Sequence, residues 1–303
     1  MIKKPTITVG IPAHNEQNTI TDLILSILKQ KGDFILKRVL VVCDGCTDLT
    51  EKNINKIKDS RIKVFNDNKK LGKVQRLNQI YKGAQTDYLI TLDADVLLVT
   101  NNEIQNMLKV MRQNKKAKVV AGNIVLSSFN TGFVPKILQI NHELWSVTTQ
   151  AYKNGKNIHT SHGACYMLKK SFYKKYTFPK GVTCDQGFLY LFAKPNGYYF
   201  AHKTNILCNP LQNFKEIQIG YSRTTNEKSD LTKHFGNRIL KEYTIPLKYR
   251  LYGLLRMFYK SPIYTALSVL FNIWLKVFTV KDEGLANGYW TVAKTSKHKV
   301  LNI

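Results

Sequence analysis

Two aspartates, Asp93 and Asp95, follow an apolar run in the segment TLDADVL (91–97). On an extended backbone, the Asp-x-Asp spacing places both side chains on one face. Paired carboxylates can hold a divalent cation, and such a cation can neutralise a nucleotide diphosphate. We expect Asp95 to face the cation and Asp93 to face the ribose or the same cation. The alternative is that Asp-Ala-Asp forms a turn or a helix cap.

Two further polar clusters come earlier in the chain, PAHNE (12–16) and DGCTD (44–48). Each of these clusters directly follows an apolar run typical of a buried strand, and so does the aspartate pair. In chain order, the three runs are ITVGI (7–11), RVLVVC (38–43) and DYLITL (87–92). In parallel sheets, ligands bind beyond the carboxyl ends of the strands. The three clusters are therefore predicted to converge at one edge of a sheet.

The intervening segments show helical spacing of apolar residues, with Ile20, Leu23, Ile24 and Ile27 as the first example. Strands that alternate with such helices predict an α/β fold, with a mostly parallel, Rossmann-like sheet and helices on both faces. Further along the chain, the same patterns predict helices over 102–114, 134–152 and 185–194 and strands over 117–126 and 161–170.

The chain of 303 residues has a formal net charge of +26, from 46 Lys+Arg against 20 Asp+Glu. This excess indicates an anionic partner, which charge alone leaves open among nucleic acid, an acidic membrane surface and a phosphorylated small molecule. The five cysteines include one C-x-x-C pair without a second pair at zinc spacing, so reduced thiols are expected. The first residues lack the apolar region of a signal peptide, so the catalytic part is expected to stay in the cytoplasm.

The C-terminal part has a different composition. PLKYRLYGLLRMFYK (246–260) mixes apolar and basic residues at helical spacing, as interfacial helices do. The next 19 residues, 262–280, contain Lys276 as their only charge and approach the ~20 residues that span a bilayer. This segment is expected to lie on or in a membrane, peripherally or as a single span, or else to be a buried packing helix.

The ordered motifs resemble those of the inverting nucleotide-sugar glycosyltransferases of family two, which have the GT-A fold. The resemblance covers about residues 5–225 and rests on six segments: IPAHNEQNTI, VVCDGCTDLT, LGKVQRLNQI, TLDADV, HGACYMLKK and FPKGVTCDQGFLYL. The tail GYWTVAKTSK (288–297) also resembles the W-x-x-x-x-S/T-K tail of many membrane-associated members.

The resemblance implies a role for each matching residue. Asp185 would be the catalytic base, Asp95 would hold Mg²⁺ or Mn²⁺, and His162 and Gly163 would lie on the acceptor side. The nucleotide sugar, a UDP-sugar by preference, would meet Pro12, His14, Glu16, Asp44, Lys73, Asp93 and Arg223. Two departures, Cys43 and Cys184, replace acidic residues that the family usually has beside Asp44 and Asp185.

The family's Q-x-x-R-W motif of processive synthases is absent as such, so addition of a single hexosyl or N-acetylhexosaminyl unit is expected. The acceptor would be a glycan or lipid-linked molecule at the cytoplasmic face of the cell membrane, in the synthesis of cell-envelope polysaccharide. The predicted domains are a catalytic domain, 1–225, divided into a nucleotide-sugar-binding half (1–96) and an acceptor half (97–225), and a membrane-associated helical region, 226–303. The alternatives are a polyprenyl-phosphate glycosyltransferase and, more distantly, a basic nucleic-acid-binding protein.

Overall fold

The computed structural model describes residues 3–127, 132–182, 184–211, 214–278 and 297. In this part of the chain the strands are β1 (Thr6–Ala13), β2 (Ile35–Cys43), β3 (Ile62–Phe65), β4 (Tyr88–Leu92), β5 (Val96–Leu98), β6 (Val119–Leu126), β7 (Cys165–Lys169) and β8 (Tyr198–Cys208). The α-helices are α1 (Ile20–Leu28), α2 (Thr50–Asn55), α3 (Lys73–Gly83), α4 (Glu103–Gln113), α5 (Phe133–Ala151), α6 (Lys170–Tyr173), α7 (Gln186–Ala193), α8 (Phe214–Phe235), α9 (Leu247–Lys260) and α10 (Pro262–Val277).

The eight strands form one sheet in the order β3-β2-β1-β4-β7-β6-β8-β5. The first four are parallel to one another, β7 joins them antiparallel to β4, and β6 and β8 are again a parallel pair. Four of the seven neighbouring pairs are parallel. The predicted α/β fold with a mostly parallel sheet is therefore confirmed, while strands β5 and β8 were not predicted.

The described residues fall into two compact units. The first contains the whole sheet and takes in the described residues of 3–127 and 161–209, together with Lys297. Its main apolar cluster joins strands β1, β2 and β4 to the inner faces of α1 and α4. Strands β1 and β4 are buried at nearly every position because both of their faces are covered, whereas only the second half of β2 is mostly buried. The domain limits given above stay predictions.

The second unit takes in the described residues of 132–160 and 210–278, where α5 packs against α9 and α10. Helix α10 turns polar residues toward this packing: Thr265 and Ser268 are fully buried, and Ser268 Oγ donates to the Ile137 carbonyl at 3.1 Å. Its outer face carries Ile263 and Leu270, whose exposed fractions are 71% and 61%. Within the described residues, none of the helices has both the length and the apolar character to cross a bilayer.

Candidate active site

The sheet brings the three polar clusters to one edge. Strand β1 lies between β2 and β4, and its last residue, Ala13, is in register with Cys43, the last residue of β2. Strand β4 runs parallel to β1 and leads into Asp93. The loops after these three strands therefore share the carboxyl edge of the sheet, as the sequence predicts.

Asp44, in the loop after β2, holds the segment that leads into α3. Its buried carboxylate accepts hydrogen bonds from the backbone N–H groups of Leu71, at 2.7 Å, and Gly72, at 3.1 Å. The guanidinium of Arg76 donates to the same carboxylate at 3.0 Å and also pairs with Asp67. Arg76 is fully buried, so this network fixes the start of α3.

Lys73, the first residue of α3, joins two carboxylates from different parts of the chain. Its ammonium nitrogen lies 2.6 Å from Asp93 Oδ1 and 3.5 Å from Asp185 Oδ2, and it donates to the Gly163 carbonyl at 3.1 Å. Burial would lower the pKa of Lys73, but the charges of Asp185 and Asp93 outweigh this effect and raise it. Lys73 is therefore protonated at neutral pH and links the Asp-x-Asp pair to the predicted base.

Asp185 immediately precedes α7 and is only 6% exposed. Burial raises the pKa of its carboxyl, and the positive charge of Lys73 opposes part of that effect. A β-carbon built on Gly163 would lie 2.8 Å from Asp185 Oδ1 and 2.9 Å from Lys73 Nζ, closer than such contacts normally are. A side chain at this position would therefore force the carboxylate of Asp185 and the ammonium of Lys73 to shift.

Glu16, in the loop after β1, is also buried. Its carboxylate accepts a hydrogen bond from Thr19 Oγ1 at 3.0 Å and lies 2.6 Å from the ammonium of Lys297. Burial, followed by the charge of Asp95, raises the pKa of Glu16 to about 7, although Lys297 acts in the opposite direction. No local pattern in the sequence assigns Lys297 to the site, and its signal is the Ser-Lys end of the tail motif GYWTVAKTSK.

Asp95 is the residue predicted to hold a metal ion. Burial, followed by repulsion from Asp93, raises its pKa to about 6, while Lys297 and Lys73 lower it. Among the described residues, no group of three or more His, Cys, Asp or Glu side chains is arranged as a complete metal site. Two neighbouring aspartates, Asp93 and Asp95, supply oxygen donors that suit a hard cation, which would take its other oxygen ligands from a substrate and water. The donor set therefore fits Mg²⁺ or Mn²⁺.

The other predicted residues take varied positions. Pro12 is buried in β1, and His14 Nδ1 makes a hydrogen bond with the Asp44 carbonyl at 2.7 Å. Burial lowers the pKa of His14. His162 precedes Gly163 and is partly buried. Arg223 belongs to α8 in the second unit, and its side chain lies outside the described part of the chain.

The two cysteines that replace acidic residues in the motifs, Cys43 and Cys184, are both buried. Neither side chain therefore supplies an exposed acidic group beside Asp44 or Asp185. In the first unit, the acidic residues of the site are thus Glu16, Asp93, Asp95 and Asp185. Two lysines, Lys73 and Lys297, form ion pairs with three of them.

The chain is similar to known glycosyltransferases over part of its length. It is 32% identical over 130 residues to the poly-beta-1,6-N-acetyl-D-glucosamine synthase of Staphylococcus aureus (strain MSSA476), over 40% of this chain and 31% of the synthase. It is also 32% identical over 112 residues to an uncharacterized glycosyltransferase of Haemophilus influenzae, over 36% of this chain and 44% of that protein. The chain thus matches less than half the length of each curated relative.

Solved structures of low sequence identity share the fold. The mannosyltransferase PcManGT from Pyrobaculum calidifontis, in complex with GDP-Man and Mn²⁺, superposes with a TM-score of 0.58 at 16% identity, over 89% of this chain and 75% of that one. S. aureus TarS 1–349 gives 0.52 at 15% identity, over 87% and 83%. The expected GT-A fold is confirmed. The family model of glycosyl transferase family 2 matches residues 8–177, and the chain belongs to this family of glycosyltransferases.

Proposed function

We propose that this protein is a metal-dependent, inverting glycosyltransferase that moves a sugar from a nucleotide diphosphate sugar to a glycan or lipid-linked acceptor. The observation that carries the proposal is the position of Lys73, within ion-pair distance of both Asp93 and Asp185. The closeness of a buried carboxylate to an acidic pair supports a role in proton removal for Asp185 and in binding a diphosphate and its cation for the pair.

In the proposed reaction, Asp185 accepts the proton of an acceptor hydroxyl as that oxygen attacks the anomeric carbon. The new glycosidic bond forms while the bond from the anomeric carbon to the diphosphate oxygen breaks, so one displacement inverts the configuration. Lys73 favours the ionised form of Asp185 that this step needs. Gly163, which has no side chain, lets the backbone of the predicted acceptor segment pass directly beside this carboxylate.

The donor side of the proposal rests on the carboxyl edge of the sheet. Pro12, His14, Glu16, Asp44 and Asp93 line or support the nucleotide site there. Asp95 would hold Mg²⁺ or Mn²⁺, which when bound neutralises the departing diphosphate. A UDP-sugar is the preferred donor: a TarS structure with UDP shares the fold at a TM-score of 0.50, and the staphylococcal relative is a poly-N-acetylglucosamine synthase.

The acceptor is proposed to lie at the cytoplasmic face of the cell membrane, in cell-envelope polysaccharide synthesis. Helix α10 supports this proposal because it buries the polar residues Thr265 and Ser268 and exposes the apolar residues Ile263 and Leu270. An apolar outer face with a polar inner face suits contact with acyl chains. With the net charge of +26, this face matches an anionic bilayer surface.

The test is a donor panel with the detergent-solubilised chain. UDP-GlcNAc, UDP-glucose, UDP-galactose and GDP-mannose are each incubated with MnCl₂ and extracted envelope glycolipids, and release of free nucleotide is measured. We expect one donor to be turned over and turnover to fall on chelation with EDTA. Asp33→Asn, a change at an exposed carboxylate, is the matched control for Asp95→Asn, which should lose metal-dependent turnover. Absence of turnover with every donor would refute the proposal.

A further inference from the structure

A group of lysines lies at the edge of the sheet opposite the candidate active site. The active-site loops follow the carboxyl ends of β1 and β4, whereas this opposite edge holds the amino ends of both strands. Because β7 is antiparallel to β4, the end of β7 lies there too, with Lys169 in register with Tyr88. The eight residues of β1 separate the two edges by about 23 Å, at ~3.3 Å per residue.

The lysines line an open cavity of about 670 Å³ within the first unit. This volume falls in the range of small-molecule pockets, roughly 300–1,000 Å³. The charged residues of the lining are Lys3, Lys4, Asp87, Lys169 and Lys170. With four lysines and one aspartate, the lining has a strong positive excess.

Asp87 joins the two segments that carry these lysines. Its carboxylate accepts hydrogen bonds from the backbone N–H and from the Oγ1 of Thr6, each at 2.8 Å. Its backbone carbonyl accepts the N–H of Lys170 at 2.9 Å. The hydrogen bonds from Thr6 lower the pKa of the Asp87 carboxyl, and the charges of Lys170 and Lys3 add to this effect. The backbone that carries the lysines is therefore held in place before any ligand binds.

The positive charge of the cavity is not neutralised by the protein. Within the described residues, the ammonium groups of Lys3, Lys169 and Lys170 form no ion pair. Lys4 lies 3.9 Å from Asp33, and both of these side chains are more than half exposed, so the pair contributes little. Lysines that share one cavity repel one another, and a bound anion would relieve this repulsion.

We propose that this cavity binds a phosphate or diphosphate group, carried by a soluble small molecule or by a lipid headgroup. Each ammonium group offers three N–H donors, and its hydrogen bonds to phosphate oxygens are strengthened by charge. Several lysines around one cavity suit a group with two or more negative charges. The volume leaves room for an organic group attached to the phosphate. The proposal does not rest on the proposed glycosyltransferase reaction, since its residues lie outside the candidate active site.

The experiment is lysine footprinting of the full chain in detergent, with sodium pyrophosphate as the soluble probe. EDTA is present, so that no metal-dependent binding contributes. The protein is acetylated with N-hydroxysuccinimidyl acetate at increasing pyrophosphate concentration, and mass spectrometry measures the modification of each lysine. We expect saturable protection of the four lysines of the cavity. Lys115 and Lys116, two neighbouring exposed lysines outside the cavity, should change by less than about twofold.

The double variant Lys169→Gln/Lys170→Gln removes two of the proposed contacts. Protection of the two remaining lysines of the cavity should then need at least about tenfold more pyrophosphate, because two charge-assisted hydrogen bonds are lost. The matched control Lys115→Gln/Lys116→Gln removes the same charge elsewhere and should behave like the wild type. Circular dichroism confirms that both variants are folded.

A second series replaces pyrophosphate with mixed micelles that contain dioleoyl phosphatidic acid, and dioleoyl phosphatidylcholine is the zwitterionic control. Protection by pyrophosphate alone identifies a soluble phosphate ligand, and protection by phosphatidic acid alone identifies a lipid headgroup. Protection by both probes supports the shared phosphate chemistry. No protection with either probe, or equal protection in Lys169→Gln/Lys170→Gln and the wild type, would overturn the proposal.

Discussion

Gly163 and Asp185 lie so close that a β-carbon on the glycine would be 2.8 Å from the Oδ1 atom of the aspartate. The same β-carbon would be 2.9 Å from the ammonium of Lys73. The backbone at Gly163, in the predicted acceptor segment, is thus packed directly on the ion pair between Lys73 and Asp185. This contact makes the geometry of Asp185 sensitive to a single methyl group.

Gly163→Ala is therefore expected to displace Asp185 and Lys73 and to lower kcat by on the order of 10²-fold, with a smaller effect on donor binding. The matched control is Gly220→Ala in α8, where a β-carbon would meet only Leu211 at an ordinary 3.5 Å. The control should keep its activity and gain up to about 1 kcal/mol of stability from helix propensity. Initial rates and urea unfolding of both variants provide the measurement.

Lys73→Met should move the acid limb of the pH–rate profile to higher pH. Lys73 lowers the pKa of Asp185, so its removal raises that pKa further and a larger share of the base is protonated at a given pH. At neutral pH we expect kcat to fall by on the order of 10²-fold, in the range of general base catalysis. Lys73→Arg, which keeps the charge, should retain the wild-type limb, and an unshifted limb in Lys73→Met would argue against this role.

Glu16→Gln should stabilise the metal-free protein at pH 8 but not at pH 4. Burial, followed by the charge of Asp95, raises the pKa of Glu16 from 4.5 to about 7. Between these pH values the folded protein holds a proton that the unfolded chain has released, so its free energy of unfolding falls as the pH rises. The amide mimics the protonated form, so the difference should grow to at most about 3 kcal/mol above pH 7.

Urea unfolding in the presence of EDTA at pH 4, 6 and 8 measures this difference. The wild type should lose stability relative to Glu16→Gln across this range. A difference of equal size at pH 4 and pH 8, or a less stable variant at pH 8, would show that the buried negative charge of Glu16 does not destabilise the folded protein.

Arg76→Ala should destabilise the protein by about 3–5 kcal/mol, because it leaves the buried carboxylate of Asp44 without its partner. Arg112→Ala breaks a surface pair with Asp33 and should cost no more than about 1 kcal/mol. Urea unfolding compares the two variants. Equal costs would mean that the Asp44 network does not fix the start of α3.

We predict that the exposed apolar face of α10 contacts the membrane. Ile263→Ser combined with Leu270→Ser should lower binding to vesicles of anionic phospholipid at least about tenfold, because two exposed apolar side chains are lost. Leu25→Ser, at a residue 40% exposed on α1, is the matched control and should float with the vesicles like the wild type. Equal flotation of all three proteins would exclude this face as the membrane contact.

Much of the first half of the fold follows from local patterns. The apolar runs that become β1, β2 and β4 are long enough to identify as buried strands, and the polar clusters after them fall at one edge by the geometry of a parallel sheet. The helices α1 and α3 follow from their apolar spacing. Periodicity therefore predicts the acidic edge of the site.

The rest of the site depends on contacts between distant residues. Asp185 reaches Lys73 only because β7 returns antiparallel to β4, with Leu92 in register with Cys165, and no local pattern fixes that pairing. The 11-residue strand β8 has polar residues in its interior, such as Lys203 and Thr204, which hide its strand character. The contact of Lys297 with Glu16 joins residues at opposite ends of the chain, so spacing carries no information about it.

The most direct test of the account compares the wild type with Asp185→Asn on the donor that the panel identifies. Transfer to the acceptor is measured by initial rate, nucleotide affinity by calorimetry, and the anomeric configuration of the product by proton NMR. We expect an inverted product from the wild type, a loss of transfer of on the order of 10³-fold in the variant, and a nucleotide Kd that stays within about threefold. Transfer that survives in Asp185→Asn would show that Asp185 is not the base and would favour a phosphate acceptor that needs no base, as in the polyprenyl-phosphate glycosyltransferases.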